Sequence, residues 1–223
     1  MATRHEEKFI IGYAEYLRLR ARAEAAMSID PHAGEDGYVI ASLYYDDLYD
    51  SALDEKLDGV RVHTKYRLRT YNSDPSFIRL ERKVKRGIMT EKHTVQVAEE
   101  DIPLLWDPGR DLESLSGRQA VMGLEMRTKG LRPAVIVRYR RDAFVYPGTD
   151  TRLTFDTNVE ALPPDHTLLF EEEHPGIPAM PRDQVIMEVK YGEYLPQFVR
   201  KISACCSKQL SVSKYAICRE AWR

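Results

Sequence analysis

Residues 60–71 read VRVHTKYRLRTY, and along this stretch polar and apolar side chains alternate. The even positions are mostly apolar, whereas each odd position carries a cationic, imidazole or phenolic side chain. These odd residues are Arg61, His63, Lys65, Arg67, Arg69 and Tyr71. Successive side chains of a β-strand point to opposite faces of the sheet. The alternation therefore predicts a strand with one apolar face and one strongly cationic face.

A second strand of the same design is predicted from Phe77 to Lys85, where Arg79, Glu81 and Lys83 share a face. The residues between the two strands read YNSDPS and are typical of turns, so the strands are predicted to form a β-hairpin. Like charges that face each other across a sheet destabilise it. The paired cationic faces therefore indicate a missing counter-charge, for which a multiply charged anionic ligand is the simplest source.

The overall charge of the chain hides this segregation. The 223 residues contain 33 Lys and Arg against 35 Asp and Glu, which gives a net charge of −2. Between Arg61 and Lys92, however, ten basic and three acidic residues give +7, so the rest of the chain carries −9. Such a block is usually a solvated surface, but here the alternation places its cations on strand faces. A near-neutral total therefore does not exclude an anionic partner.

Composition places the chain among the globular proteins. Hydrophobic residues make up 43% of it, too many for a disordered chain, and no run of about 18 apolar residues is present to span a bilayer. The first residues, MATRHEEKFI, do not resemble a secretory signal. The three cysteines, Cys205, Cys206 and Cys218, lack metal-type spacing and suit a reducing compartment. We expect a single cytoplasmic domain over residues 1–223.

Further strands are predicted from the same period of two. They cover Glu6 to Ile11, Tyr38 to Tyr45, Glu91 to Val97, Ala134 to Tyr139, Leu153 to Asp156 and Val185 to Lys190. Helical patterns cover Gly12 to Ala26, parts of Ile102 to Lys129, and Pro196 to Cys206. This set predicts an α+β fold, namely a closed eight-stranded antiparallel β-barrel with flanking helices, because closure removes exposed edge strands. Its lumen would be lined with arginine and lysine.

Eight stretches, in order along nearly the whole chain, resemble one known family. They are RHEEKF (Arg4 to Phe9), SLYYDD (Ser42 to Asp47), KYRLRTY (Lys65 to Tyr71), LERK (Leu80 to Lys83), YRRDAF (Tyr139 to Phe144), RLTFD (Arg152 to Asp156), MEVK (Met187 to Lys190) and SKY (Ser213 to Tyr215). The family is the VTC (vacuolar transporter chaperone) polyphosphate polymerase domain, a branch of the triphosphate tunnel metalloenzyme superfamily that also contains CYTH phosphatases. The resemblance implies an eight-stranded tunnel that binds a nucleoside triphosphate or polyphosphate.

The resemblance also implies which residues contact phosphate. The predicted phosphate-binding residues are Lys8, Lys65, Lys83, Arg141, Arg152 and Lys190, and the predicted catalytic residues are Arg67, Arg69, Glu188 and Lys214. Arginine suits this role because its planar fork binds phosphate oxygens in pairs, and lysine supplies a compact charge. In a regular strand, Arg141 points away from the face that carries Arg138 and Arg140.

A divalent metal ion is implied at Glu188, with Glu6 as a second ligand. Mg²⁺ and Mn²⁺ prefer oxygen ligands and often combine one or two carboxylates with substrate phosphates. The alternative interpretation of Glu188 is an ion pair with a neighbouring lysine. Arg4 stands where the tunnel hydrolases have the first glutamate of a Glu-x-Glu-x-Lys pattern, which favours the VTC branch over a phosphatase.

The predicted activity is transfer of the ATP γ-phosphoryl group to a growing inorganic polyphosphate chain, with ATP and polyphosphate as partners. One alternative is a metal-dependent tripolyphosphatase or organic triphosphatase, and a second is a polyphosphate- or nucleotide-binding domain without turnover. Nucleic acid is not expected as a partner, because single-strand binders interleave exposed aromatic residues with their cations. The sequence indicates no oligomeric state and contains no membrane segment.

Overall fold

The computed structural model describes residues 5–31, 33–34, 37–87, 89–204, 206 and 212–223, and thus leaves Arg4 and Cys205 outside the described residues. Within them lie ten strands: β1 (His5–Gly12), β2 (Ser28–Ile29), β3 (Tyr38–Asp46), β4 (Val62–Tyr71), β5 (Ile78–Arg86), β6 (Met89–Val97), β7 (Arg132–Val145), β8 (Arg152–Leu162), β9 (Ile177–Pro178) and β10 (Gln184–Tyr191). The helices are α1 (Tyr13–Ala26), α2 (Ser51–Leu57), α3 (Ile102–Trp106), α4 (Gly117–Thr128), α5 (Gln197–Ala204) and α6 (Lys214–Trp222). No helix among the described residues is both long and apolar enough to cross a bilayer.

All eight predicted strands and all three predicted helical regions are present, so these predictions are confirmed. The predicted hairpin is confirmed as well, since β4 pairs with β5 in an antiparallel register. At its turn Asn72 and Ser73 adopt left-handed φ angles of 49° and 54°. The carboxylate of Asp74 then accepts a hydrogen bond of 2.8 Å from the backbone N–H of Ser76. Local side-chain bonds of this kind close the turn without a glycine.

The predicted closed eight-stranded barrel is wrong. The strands form an antiparallel ten-stranded sheet in the order β1-β10-β8-β7-β3-β4-β5-β6, with β2 paired to β7 and β9 to β8. In the described part of the chain no pairing joins β1 to β6, the two ends of this path. Alternation determines where a strand lies and which residues share a face, whereas closure depends on tilt and stagger between strands. The side-chain period does not contain that information.

The chain divides into two compact units. The first unit comprises Met1–Val39, Tyr139–Val159 and Met180–Ser213. In it β10 pairs with β1 on one side and with β8 on the other. The odd-numbered residues of these strands pack against α1 and α5 in one core that includes Phe9, Ile11, Leu19, Leu153, Phe155, Met187, Val189, Val199 and Ile202. The even-numbered residues lie on the opposite, polar face.

The second unit comprises Ile40–Arg138, Glu160–Ala179 and Lys214–Arg223. Its strands β3, β4, β5 and β6 pair in chain order. One face of these strands packs with α3 and α4 around a core that includes Leu43, Tyr45, Tyr66, Leu68, Leu80, Leu105, Met122 and Met126. The other face carries the cations of the VRVHTKYRLRTY stretch. Burial of the apolar face thus determines which side chains are presented on the polar one.

Candidate functional site

The polar face of the second unit brings together several of the predicted site residues. Lys65 lies opposite Lys83 across the β4–β5 pairing, and Arg69 lies opposite Arg79. Lys83 in turn lies opposite Lys92 of β6. Pairs of like charge are destabilising at such positions. The three strands therefore present an excess of positive charge on one face.

Glu81 is the carboxylate on this cationic face. It is 1% exposed and accepts hydrogen bonds from Nε of Arg67 at 2.6 Å and from Nζ of Lys92 at 2.5 Å. Burial alone would raise the pKa of Glu81, but the charges of Arg67 and Arg69 outweigh it and lower the pKa to about 2. The alternation of β5 predicts Glu81 on this face but indicates no role for it. Its position fixes the side chain of Arg67.

Replacement of Glu81 with glutamine should make the free energy of unfolding depend less steeply on pH in acidic solution. The pKa of Glu81 falls from an ordinary 4.5 to about 2 in the folded chain, so its contribution is complete above pH 4.5 and is lost as the pH falls towards 2. We expect Glu81→Gln to reduce the free energy of unfolding by about 2 kcal/mol at pH 7 and by less at pH 3. Urea unfolding at both pH values measures this difference. An equal loss at both would contradict it, and exposed Glu91→Gln serves as the control.

Arg69 has fewer partners than Arg67. Its side chain lies on the polar face and the residue is only 9% exposed. Its Nε donates a hydrogen bond of 3.1 Å to Oγ of Ser42, and no carboxylate in the described part of the chain forms an ion pair with it. The charge of Arg69 helps to lower the pKa of Glu81, but a buried guanidinium without a direct carboxylate contact keeps donors available for another acceptor. The guanidinium of Arg69 is therefore the clearest candidate contact for an external anion.

Tyr44 of β3 completes this group and was not predicted. Its hydroxyl accepts a hydrogen bond of 2.8 Å from Nη1 of Arg67. Its ring stacks on Tyr215 of α6, with 4.9 Å between the ring centroids. Burial would raise the pKa of Tyr44, but Arg67, Arg69 and Lys65 lower it to about 8. The pattern that could have revealed Tyr44 is its even position in β3, which it shares with Ser42.

The C-terminal helix is anchored beside these strands. The hydroxyl of Tyr215 donates a hydrogen bond to the buried carboxylate of Asp46, which also accepts bonds from the backbone N–H groups of Ala52 and Leu53 in α2. Nζ of Lys65 lies 5.0 Å from the centroid of the Tyr215 ring, a cation–π distance. Lys214 begins α6. Burial raises the pKa of the Cys218 thiol, and the charge of Lys214 offsets only part of that rise. Lys214 therefore lies near a thiol one helical turn away.

The polar face of the first unit holds the other predicted site residues. Lys8 lies opposite Glu188, and Glu6 lies opposite Lys190, across the β1–β10 pairing. Two ion pairs run along the strands, from Lys8 to Glu6 at 2.8 Å and from Lys190 to Glu188 at 2.7 Å. Burial lowers the pKa of Lys190 to about 8 although Glu188 and Glu6 oppose the shift. Charges of opposite sign thus alternate on this face.

The two predicted arginines of this unit also have carboxylate partners. Arg141 donates hydrogen bonds from Nε and Nη2 to Asp156, at 2.6 and 2.8 Å, and its Nη2 lies 3.6 Å from Glu188. Arg152 lies 2.6 Å from the carboxylate of Asp30. Each predicted phosphate-binding cation of the first unit is therefore already paired, in contrast to Arg69 of the second unit.

The oxygen atoms near Glu188 allow a test of the implied metal ion. Glu188 and Glu6 carry carboxylates on one face. The buried hydroxyl of Thr154, opposite Glu188 in the register, has no hydrogen-bond partner among the described residues. These are oxygen donors, as Mg²⁺ and Mn²⁺ require. Among the described residues, however, no three His, Cys, Asp or Glu side chains are grouped so as to hold a metal. The donors have the oxygen chemistry that Mg²⁺ and Mn²⁺ require, but the carboxylates of Glu6 and Glu188 are ion-paired and do not by themselves complete a metal site.

Comparison with known proteins now assigns the family. A model of the VTC domain matches residues 3–223, and the chain belongs to this family. A search of functionally curated proteins gave no match. The match extends over nearly the whole chain and confirms the VTC family that the motifs resemble.

Similar solved structures have low sequence identity to this chain, and one of them has a TM-score above 0.5. An adenylate cyclase candidate from Bacillus halodurans is 12% identical, with a TM-score of 0.55, and the match covers 96% of this chain and 94% of that one. A second adenylate cyclase candidate, from Vibrio parahaemolyticus, is 10% identical, with a TM-score of 0.49 and 97% coverage of both chains. PH1819 from Pyrococcus horikoshii is 11% identical, with a TM-score of 0.48, and the match covers 97% of this chain and 99% of that one. At 12% identity, the first likeness shows a common fold alone.

Proposed function

We propose that this VTC domain is a polyphosphate polymerase that transfers the γ-phosphoryl group of ATP to inorganic polyphosphate. The observation that carries the proposal is the buried guanidinium of Arg69, which lies without an ionic partner among the described residues on a face rich in cations. Such a face suits a ligand with several negative charges. Membership of the VTC family supports ATP and polyphosphate as those ligands.

The proposed reaction makes one phosphoanhydride bond and breaks one. A terminal oxygen of the polyphosphate attacks the γ-phosphorus of ATP, the bond from that phosphorus to the β–γ bridging oxygen breaks, and ADP leaves with the electron pair. Phosphoryl transfer depends on positioning and on neutralising charge rather than on covalent chemistry by the protein. Arg67 and Arg69, with Lys65 and Lys83, bind phosphate oxygens, and Lys214 contributes a further positive charge.

The residues of the first unit have a different part in the proposal. Lys8, Arg141, Arg152 and Lys190 bind phosphate by exchanging carboxylate partners for phosphate oxygens. Glu188 and Glu6 would hold Mg²⁺ or Mn²⁺ together with substrate phosphates. When bound, such an ion neutralises negative charge on the phosphates. Lys190 loses its charge near pH 8, so its contact with phosphate weakens in alkaline solution.

The test is incubation of the purified chain with ATP and Mn²⁺, followed by separate detection of polyphosphate chains and free phosphate. We expect chains to form, and both Glu188→Gln and Lys214→Ala to slow their formation at least about tenfold, since each removes a charge from the proposed machinery. Exposed Lys129→Ala is the control. Full activity in both variants would overturn the proposal, and free phosphate in place of chains would show a triphosphatase.

A binding domain without turnover is the second candidate. It is favoured by the ion pairs of Glu188, which already contacts Lys190 at 2.7 Å and lies 3.6 Å from Arg141. A carboxylate held in this way is less available to a metal ion. Retention of ATP without conversion to chains or phosphate would support this candidate.

A further inference from the structure

The motif SLYYDD, Ser42 to Asp47, has no role in the proposed reaction, yet its side chains touch the two arginines. Ser42 lies opposite Arg69 and Tyr44 lies opposite Arg67 in the β3–β4 register. In each pair the β3 hydroxyl accepts a hydrogen bond from the arginine, at 3.1 Å for Ser42 and 2.8 Å for Tyr44. Two successive even positions of β3 thus provide one hydroxyl for each arginine.

We propose that Ser42 and Tyr44 are positioning residues that hold the guanidinium groups of Arg69 and Arg67 in the orientation that binds a triphosphate. This inference rests on the proposed function, because it assumes that these arginines contact phosphate. It gives the β3 motif a role that acts through the arginines and requires no contact between Tyr44 and the substrate.

The contacts of Arg67 show how its orientation is fixed. Glu81 accepts from Nε at 2.6 Å and lies 2.5 Å from Nη2, while Tyr44 accepts from Nη1. These contacts hold the guanidinium on two sides. A free arginine side chain loses up to about 2 kcal/mol of conformational entropy when it is immobilised, so prior orientation favours binding. Tyr44 therefore reduces the entropy that ligand binding must remove.

Tyr44 is itself held in place by the C-terminal helix. Its ring stacks on Tyr215, whose hydroxyl donates to Asp46 at the end of the same strand. The guanidinium carbon of Arg67 also lies 5.7 Å from the centroid of the Tyr44 ring. Stacking on Tyr215 and the bond to Arg67 together limit the freedom of the Tyr44 side chain.

The charge of Tyr44 provides a readout that simple packing would not give. The groups that face it are Arg67, Arg69 and Lys65 of β4 and Tyr215 of α6, and the three cations lower its pKa to about 8 against the effect of burial. Above pH 8 a phenolate would place negative charge beside Arg67 and compete with phosphate. A phenylalanine at this position cannot do so.

The neighbouring Tyr45 offers a matched control. It is 2% exposed, lies on the apolar face of the same strand, and its hydroxyl has no hydrogen-bond partner among the described residues. Tyr44→Phe and Tyr45→Phe are the same substitution at adjacent positions on opposite faces. Removal of an unsatisfied buried hydroxyl is neutral or stabilising, so Tyr45→Phe should bind ligand as the wild type does.

The experiment measures the Kd for tripolyphosphate by calorimetry at pH 7 and pH 9, with the full chain and both variants. We expect the Kd of Tyr44→Phe to be about ten times that of the wild type at pH 7. The ratio of these two Kd values should be smaller at pH 9, where the wild type carries the phenolate. Lys190 also titrates near pH 8, but it does so in every variant and cancels from the ratio. Thermal unfolding should show both variants folded.

The outcomes separate this inference from the function on which it rests. If the wild type does not bind tripolyphosphate, the proposed function fails and the inference fails with it. If the wild type and Tyr45→Phe bind but Tyr44→Phe binds equally well, only the inference is overturned. A loss that is the same at pH 7 and pH 9 would assign Tyr44 to packing and would also overturn it. Ser42→Ala should weaken binding and Ser42→Thr should restore it, since threonine keeps the hydroxyl.

Discussion

Replacement of Asp156 with alanine is expected to lower the free energy of unfolding by about 3 kcal/mol. Asp156 is fully buried and accepts two hydrogen bonds from Arg141, at 2.6 and 2.8 Å. Removal of one member of a buried ion pair leaves the other charge uncompensated and costs about 3–5 kcal/mol. The lower end of this range applies because the carboxylate of Glu188 already lies 3.6 Å from Arg141 and would still compensate part of its positive charge.

Urea unfolding of matched variants measures this loss. Exposed Asp183, which directly precedes β10, is the control, and Asp183→Ala should change stability by less than about 0.5 kcal/mol. The double substitution Arg141→Met with Asp156→Leu removes both charges and should recover most of the loss, because well-packed apolar pairs replace buried ion pairs at little cost. A double variant as unstable as Asp156→Ala would show that lost packing, and not the unpaired arginine, causes the effect.

The strands were predictable because their signal is local. Alternation over residues 60–71 predicted a strand that the structure places at Val62–Tyr71, so the predicted cationic face is present except for Arg61, which precedes the strand. The turn residues between β4 and β5 predicted the hairpin, and its register follows from a short connection. The two missed strands, Ser28–Ile29 and Ile177–Pro178, have two residues each. Two residues are too few to show a period.

The charge partners of the site were less predictable because they depend on distant parts of the chain. Alternation places Glu188 and Lys190 on one face, and the structure shows their ion pair. Arg152, however, pairs with Asp30, more than a hundred residues away in sequence. Nothing local connects these two residues. The positions of the cations were therefore predictable from local patterns, whereas the carboxylate partners of the first unit's cations were not.

The barrel prediction failed for a related reason. The sequence pattern of each strand predicts which residues share a face. It does not predict which strand is its neighbour or how the two are staggered. The position of β10 between β1 and β8 joins residues from both ends of the chain. Such pairings depend on contacts of high sequence separation, which periodicity does not report. The faces of the strands were therefore correct while the closure was not.

Replacement of Arg69 with alanine is expected to weaken the binding of tripolyphosphate about 30- to 100-fold at pH 7. Its guanidinium is oriented by Ser42 and has no ionic partner among the described residues, so a bound phosphate would supply the missing charge. Hydrogen bonds to charged groups contribute about 1.5–3 kcal/mol. A bidentate pair between arginine and phosphate lies at the upper end of this range. Loss of that free energy corresponds to the expected change in Kd. Calorimetry with the full chain measures it.

Affinity should respond more strongly than stability if this account of Arg69 is correct. No carboxylate among the described residues lies within ion-pair distance of Arg69, and Glu81, whose charge it helps to stabilise, is also bonded to Arg67 and Lys92. The free energy of unfolding of the unliganded variant should therefore change little, whereas its affinity falls. Arg69→Lys keeps the charge without the planar fork and should bind with intermediate strength. Exposed Arg22→Ala of α1 removes the same charge from a helix surface and should leave Kd within about twofold, since screening by salt is strong there. Equal losses of affinity for Arg69→Ala and Arg22→Ala would show a response to net charge alone and would remove Arg69 from the site.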